Sequence, residues 1–290
     1  MEVVDIFARA KINLSLDVIG RRPNGYHDVR MIMQSIDLHD DISLYRSKGS
    51  GNIIIEEASG SVPLNKDNLI YKAAAVMMDK YHIKDDLRVV LKKNIPVAAG
   101  MAGGSTDAAA IFKALNIMYE LNLTVEELCS MGVKVGADVP YCIMGGTALS
   151  EGIGEILTPI IAMPYCDILI AKPDISVSTA YVYNEFDKLE EKKHPDVSAM
   201  SNAIKEQDIR KISKLLGNSL EGVTIQKYPI IEEIKENMLG KGAIGALMSG
   251  SGPTVFGLFD SMNKAVIAAD HIRGLGIAKD IILTKPYNAQ

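Results

Sequence analysis

Apolar and polar residues alternate strictly along Lys11–Ile19, with Ile12, Leu14, Leu16 and Val18 on one face and Asn13, Ser15 and Asp17 on the other. A period of two predicts a strand with one buried face. Shorter strand-like runs follow at residues 29–38, 41–45 and 52–56, separated by polar or glycine-containing turns such as Ser47–Gly51. Pro23-Asn24-Gly25, inside the link from Gly20 to His27, predicts a tight reversal. The period then lengthens to three and four at Ile70, Ala73, Ala74 and Met77, which predicts a helix capped by Asp67. A strand over 87–95, a loop of small residues and a helix with apolar Ile111, Leu115 and Met118 come next. Thr124 and Glu127 form a capping box that opens another helix to about Val135, and Gly136 ends it.

The connection Gly136-Ala137-Asp138-Val139-Pro140 predicts a short rigid turn, and Gly152–Pro159 a crossover. Residues 167–171 read as a short buried strand and 188–196 as a charged, solvated loop. Mostly helical patterns run to about Leu239, and a second small-residue loop over 240–254 precedes a strand at 255–259. A helix at 263–275 and a strand at 280–284 close the chain. Strands and helices mix without regular βαβ alternation, so the expected fold class is α+β in two domains, residues 1–158 and 159–290.

Composition narrows the function classes. Net charge of -5 and a pI near 5.6 argue against nucleic acid as a partner, because phosphate contacts need a basic face. No run approaches the ~18–20 apolar residues of a membrane span, and the first residues lack the basic start and apolar middle of a signal peptide. Three cysteines, Cys129, Cys142 and Cys166, without C-x-x-C spacing, fit reduced thiols and a cytoplasmic location.

The candidate chemistry centres on the loop Pro96-Val97-Ala98-Ala99-Gly100-Met101-Ala102-Gly103-Gly104-Ser105-Thr106, which lies between a strand and a helix. Nearly bare backbone exposes N–H groups to a ligand, and the first helical turn adds unpaired N–H groups at the positive end of its dipole. That combination suits an anion, most often phosphate. Tight helix packing is the other use of such residues. The hydroxyls of Ser105 and Thr106 favour the nucleotide reading, although neither the Walker pattern nor G-x-G-x-x-G is present.

Three further features gain weight in that company. Lys11 sits among small residues near the start of the first strand; alone it reads as a solvated cation. Tyr26-His27 reads as surface decoration, or as a flat ring beside a hydrogen-bonding ring for a planar ligand. Asp138 reads as a turn residue, or as the carboxylate a phosphotransferase uses to orient and deprotonate an alcohol.

Five segments in order, Ala8–Leu14, Arg21–His27, Pro96–Ala110, Gly136–Pro140 and Gly245–Pro253, resemble the GHMP kinases, the group of galactokinase, homoserine kinase, mevalonate kinase and phosphomevalonate kinase. Within it, Arg21–His27 and Gly136–Pro140 resemble the branch that acts on a cytidine-diphosphate alcohol. The resemblance implies a two-domain GHMP-kinase-like architecture with the active site in the cleft between domains. The implied reaction is ATP- and Mg²⁺-dependent phosphorylation of the 2-hydroxyl of 4-diphosphocytidyl-2-C-methylerythritol, in isoprenoid precursor biosynthesis by the non-mevalonate route. It implies Asp138 as catalytic base and Lys11 as its paired cation, with Pro96–Thr106 around the ATP phosphates and Asn68 near the adenine. Asn13, Tyr26, His27, Thr179 and Tyr183 are implied at the substrate, Tyr26 and Tyr183 stacking the cytosine. The Gly245–Pro253 segment resembles the one that closes on the phosphates. The loop departs from the usual Gly-Leu-Gly-Ser-Ser by carrying Ala102, and no carboxylate stands out as a metal ligand. A homodimer is compatible with the resemblance. A sister kinase acting on homoserine or mevalonate, and a nucleotide sensor without turnover, are the rival readings.

Overall fold

The computed structural model describes residues 2–288. Two compact units interleave along the chain: one holds the described residues up to Ala10, Leu38–Val97 and Ala102–Met144, the other Lys11–Asp37, Ala98–Met101 and the described residues from Gly145 onward. Strand length is the reason. β1 (Val3–Arg21) and β2 (His27–Ser47) run for 19 and 21 residues, so each serves both units. The two strands expected over 29–38 and 41–45 are therefore one, because ladder pairing carries the backbone through the polar stretch Asp37–Asp41.

In the first unit, β4 (Asp86–Lys92) pairs antiparallel with β2, from Asp41↔Lys92 to Ser47↔Asp86, and β3 (Ile53–Glu57) pairs parallel with β4. Helices α1 (Leu69–Tyr81) and α2 (Gly103–Met118) pack on each other, with Ile42, Leu44, Val89, Met77, Ile111 and Phe112 in the core. Asn68, not Asp67, caps α1: its Oδ1 accepts from Ile70 N at 2.9 Å. Asp67 stands one residue too early to reach that N–H. α3 (Val125–Gly132) carries the expected capping box of Thr124 and Glu127. The predicted turn after Gly136 is instead the start of α4 (Val139–Met144), whose first bond runs from Cys142 N to Asp138 O at 3.1 Å. Pro140 is tolerated because an N–H in the first turn has no intrahelical partner to lose.

In the second unit the predicted crossover is a hairpin. β5 (Thr147–Glu151) and β6 (Ile156–Pro159) pair antiparallel, and Gly152 and Gly154, with φ of +71° and +113°, turn the chain back. β5 also pairs with β2 at Met31↔Ser150. The second sheet orders β11-β7-β10-β9, formed by β7 (Asp167–Lys172), β9 (Gly245–Met248), β10 (Val255–Phe259) and β11 (Asp280–Thr284), all neighbours antiparallel. Pairing with β10 draws Gly245–Met248 out of the expected loop, which shortens to 249–254. Helices α5 (Thr179–Asp187), α6 (Val197–Lys205) and α7 (Ile209–Lys214) follow β7. The two-residue β8 (Gly217–Asn218) then pairs parallel with β1 at Ser15–Leu16, and α8 (Glu221–Lys227), α9 (Ile230–Gly240) and α10 (Met262–Leu275) complete the unit.

Candidate active site

The loop between β4 and α2 alternates in handedness. Ala98, Gly100 and Ala102 have φ of +52°, +70° and +59°. An L residue held there costs roughly 1–2 kcal/mol, and such strain persists mainly at ligand sites. The positive φ values recur at every second residue, in a loop whose small side chains leave the backbone N–H groups open to a ligand. Ala102 is also the N-cap of α2 and has no side chain to satisfy the first N–H groups. Gly100 is obligatory, since a Cβ there would lie 2.4 Å from Ser249 O. Pro96, Val97, Ala98, Gly103 and Gly104 are at least partly exposed, whereas Ala99 and Met101 point into the protein. Of the two hydroxyls expected at the phosphate, that of Thr106 donates to Arg9 O at 2.5 Å and is buried. Ser105, half-buried in the first turn, is the one left for a ligand.

Next to this loop lies a charged cluster that the sequence reading missed. Lys93 Nζ donates to Asp40 Oδ2 at 2.5 Å and to Asp107 Oδ2 at 2.9 Å. Asp40 Oδ1 accepts from the backbone N–H groups of Asn94 and Ile95 at 2.6 and 2.8 Å, just before the loop begins. All three side chains are nearly inaccessible to water. Burial pushes Asp107 up to about 8; Lys93 opposes this and the Asp40 carboxylate adds to it. Burial pulls Lys93 down, but Asp107 and Asp40 more than offset that and hold its pKa above the ordinary lysine value. Lys93 precedes the loop and Asp107 follows Thr106 directly; only Asp40, far off in sequence, explains why they are buried.

In the second unit, Lys11 is buried and its Nζ donates to Asn13 Oδ1 at 2.6 Å. Lys11 N donates to Met101 O at 3.2 Å, which ties this strand to the middle of the first loop. The second loop, 249–254, meets the same stretch, where Ser249 Oγ donates to Gly100 O at 3.0 Å. The two small-residue loops predicted from sequence are thus neighbours at Gly100. In the first unit, Asp138 is half-buried and stands immediately before α4.

The residues expected at a cytosine separate into two groups. His27 and Tyr183 are together, with ring centroids 4.7 Å apart and planes tilted by 34°. His27 Nε2 lies 2.8 Å from Asp187 Oδ1, so this nitrogen carries the proton. Asp187 also pairs with Arg21 at 3.3 Å. Tyr183 and Asp187 stand one turn apart on α5, a spacing of four that puts both on the face toward His27 and that the sequence reading did not use. Tyr26 is exposed at the hairpin turn, free to cover a flat ligand. Thr179, at the start of α5, shares a hydrogen bond of 2.8 Å with Ser251 of the second loop. Asn68, expected near the adenine, spends its side chain on the α1 cap and on Pro63 O at 2.7 Å.

The chain is similar to known proteins along its whole length. The model of the GHMP kinases N terminal domain matches residues 68–146 and that of the GHMP kinases C terminal matches residues 200–277. The 4-diphosphocytidyl-2-C-methyl-D-erythritol kinase of Lachnospira eligens is 50% identical over 287 residues, covering 99% of both chains. The enzyme of the same name from Lachnoclostridium phytofermentans is 48% identical over 290 residues, covering 100% of this chain and 99% of its own. A crystal structure of 4-(cytidine 5'-diphospho)-2C-methyl-D-erythritol kinase superposes with a TM-score of 0.82 at 29% identity, over 99% of this chain and 100% of its own. The structure of L. major mevalonate kinase in complex with R-mevalonate superposes at 0.78 with 20% identity, over 99% and 97%, a likeness of fold alone.

Proposed function

The chain belongs to the 4-diphosphocytidyl-2-C-methyl-D-erythritol kinases of the GHMP family, and from that membership we propose how its residues perform the reaction. It is an ATP-dependent kinase of the non-mevalonate isoprenoid route. The substrate is the cytidine-diphosphate alcohol, and the 2-hydroxyl oxygen attacks the γ-phosphorus of ATP. The bond from that phosphorus to the bridging oxygen breaks, and ADP leaves. Asp138 takes the hydroxyl proton, while Lys11, its side chain held by Asn13, offsets the developing charge on the oxygen. The transition state is loose, so positioning and charge neutralisation carry most of the catalysis.

Residues 1–158 supply the nucleotide loop Pro96–Thr106, with Asn68 shaping the adenine end through its helix cap. Residues 159–290 supply Thr179 and Tyr183. Tyr26 and Tyr183 clasp the cytosine and His27 hydrogen-bonds it. Mg²⁺ arrives with ATP. Among the described residues no group of three His, Cys, Asp or Glu side chains forms a cage for it. Such ions usually keep several waters and bind through one or two carboxylates plus the phosphates. The chain acts in the cytoplasm, and a homodimer is compatible with this chemistry. Among the described residues no helix is long and apolar enough to cross a membrane.

Near-half identity through the whole length carries the choice of substrate. ADP release from Mg·ATP, measured with the cytidine-diphosphate alcohol beside homoserine and mevalonate, tests it. Turnover with the first alone is expected; turnover with either control, or nucleotide binding without turnover, refutes it.

A further inference from the structure

The second glycine loop is held from behind by a residue that the reaction scheme leaves unused. Asn218 is buried, and its Nδ2 donates to Met248 O at 2.9 Å and to Gly250 O at 2.7 Å. Its Oδ1 accepts from Leu220 N at 2.9 Å, so the orientation of the amide is fixed by its three partners. Asn218 itself pairs with Leu16 of β1, the strand that carries Lys11 and Asn13. A peptide unit is planar and trans, so turning Gly250 O toward Asn218 turns the N–H of Ser251 the opposite way. Within its unit that N–H meets no acceptor among the described residues. Thr224 Oγ1 donates to Ser251 O at 3.3 Å, and Ser249 Oγ ties the loop to Gly100 of the first loop. Gly250 has φ of +59°, so the peptide is held in a conformation it would otherwise leave easily.

We propose that Asn218 is a positioning residue for phosphoryl transfer: by gripping the carbonyls of Met248 and Gly250 it aims the Ser251 N–H at a phosphate oxygen of the nucleotide. Only a side chain with two donors on one nitrogen and an acceptor beside it fills this place. Aspartate has the same shape but would set an anion against two carbonyl oxygens. The inference rests on the reading of the glycine loops as phosphate-binding.

The test uses the full chain with Asn218→Asp and Asn218→Ala, each checked by circular dichroism and a thermal melt and assayed well below its Tm. A donor aimed at a charged oxygen is worth roughly 10²–10³ in kcat when deleted, so its misalignment is expected to lower kcat about 10- to 100-fold. The KM for the cytidine substrate should stay within about twofold, with kcat expressed per folded enzyme, because partial unfolding would also lower apparent kcat at constant KM. Folded variants with kcat within about threefold of the parent overturn the proposal. A second measurement stands if neither variant folds: in the ¹⁵N-labelled parent, the Ser251 amide resonance should move on adding Mg²⁺ with a non-hydrolysable ATP analogue, and an unmoved resonance overturns it. If Ser251 responds to nucleotide while the parent fails to phosphorylate the cytidine alcohol, the substrate reading fails and this inference stands.

Discussion

Replacing Asp107 with asparagine should make the protein more stable at alkaline pH. The folded protein holds this carboxyl near 8 against an ordinary 3.8, chiefly through burial, with Asp40 beside it and Lys93 opposing. A raised carboxyl pKa is a penalty that is absent below the unfolded value, grows as pH rises past it, and levels off above the folded value. Each pH unit in that window is worth ~1.4 kcal/mol, so about four units set a ceiling of roughly 5–6 kcal/mol, of which the coupling of Asp107 to Asp40 leaves only a part to Asp107 alone. Asparagine keeps the shape of the side chain and still offers an oxygen to Lys93 Nζ, which lies 2.9 Å from Asp107 Oδ2, but it cannot ionise. It also leaves Lys93 and Asp40 as a one-to-one pair. Thermal melts of parent and Asp107→Asn at half-unit steps from pH 5 to 9 would decide. The parent should lose Tm across the range while the variant stays flatter, so that the variant leads at pH 8.5 by several degrees, at about 2–4 °C per kcal/mol for a chain of this size class. Parallel curves, or a variant that is less stable at pH 8.5, would show that Asp107 is ionised and needed as a partner by Lys93.

Asp138→Asn should reduce kcat by roughly 10²–10⁴-fold with little change in nucleotide affinity; near-normal turnover removes Asp138 as the base. Tyr183→Ala should raise the KM for the cytidine substrate, since base stacking on an aromatic ring is worth ~1–3 kcal/mol where measured with nucleic acids; steady-state kinetics with an unchanged KM would place the cytosine elsewhere. Gly100→Ala must accommodate a Cβ 2.4 Å from Ser249 O at a φ of +70°, so ATP binding measured by calorimetry should weaken sharply, and parent-like affinity would mean the two loops need not meet. Phe112→Ala, in a fully buried site on α2, should cost ~3–5 kcal/mol in denaturant unfolding, and a loss below about 1 kcal/mol would contradict the close packing of α1 on α2.

What the sequence determined by itself is local. Alternation along Lys11–Ile19 placed β1, the three-and-four spacing placed α1 and α2, and Thr124 with Glu127 placed the start of α3, because each rests on contacts within a few residues. The small residues of Pro96–Thr106 likewise announced a loop with bare backbone, since composition alone sets how closely a ligand approaches it. Tertiary structure decided whatever depends on partners distant along the chain. Ladder pairing fused two expected strands into β2, turned a crossover into the β5–β6 hairpin and drew β9 from a glycine run, because backbone hydrogen bonds to a neighbour outweigh weak local preference. It also took the Thr106 hydroxyl for Arg9 and the Asn68 side chain for a cap, and it buried Lys93 between Asp40 and Asp107. Buried polar groups must find partners, and which partners they find is a property of the folded chain that no single stretch of sequence contains.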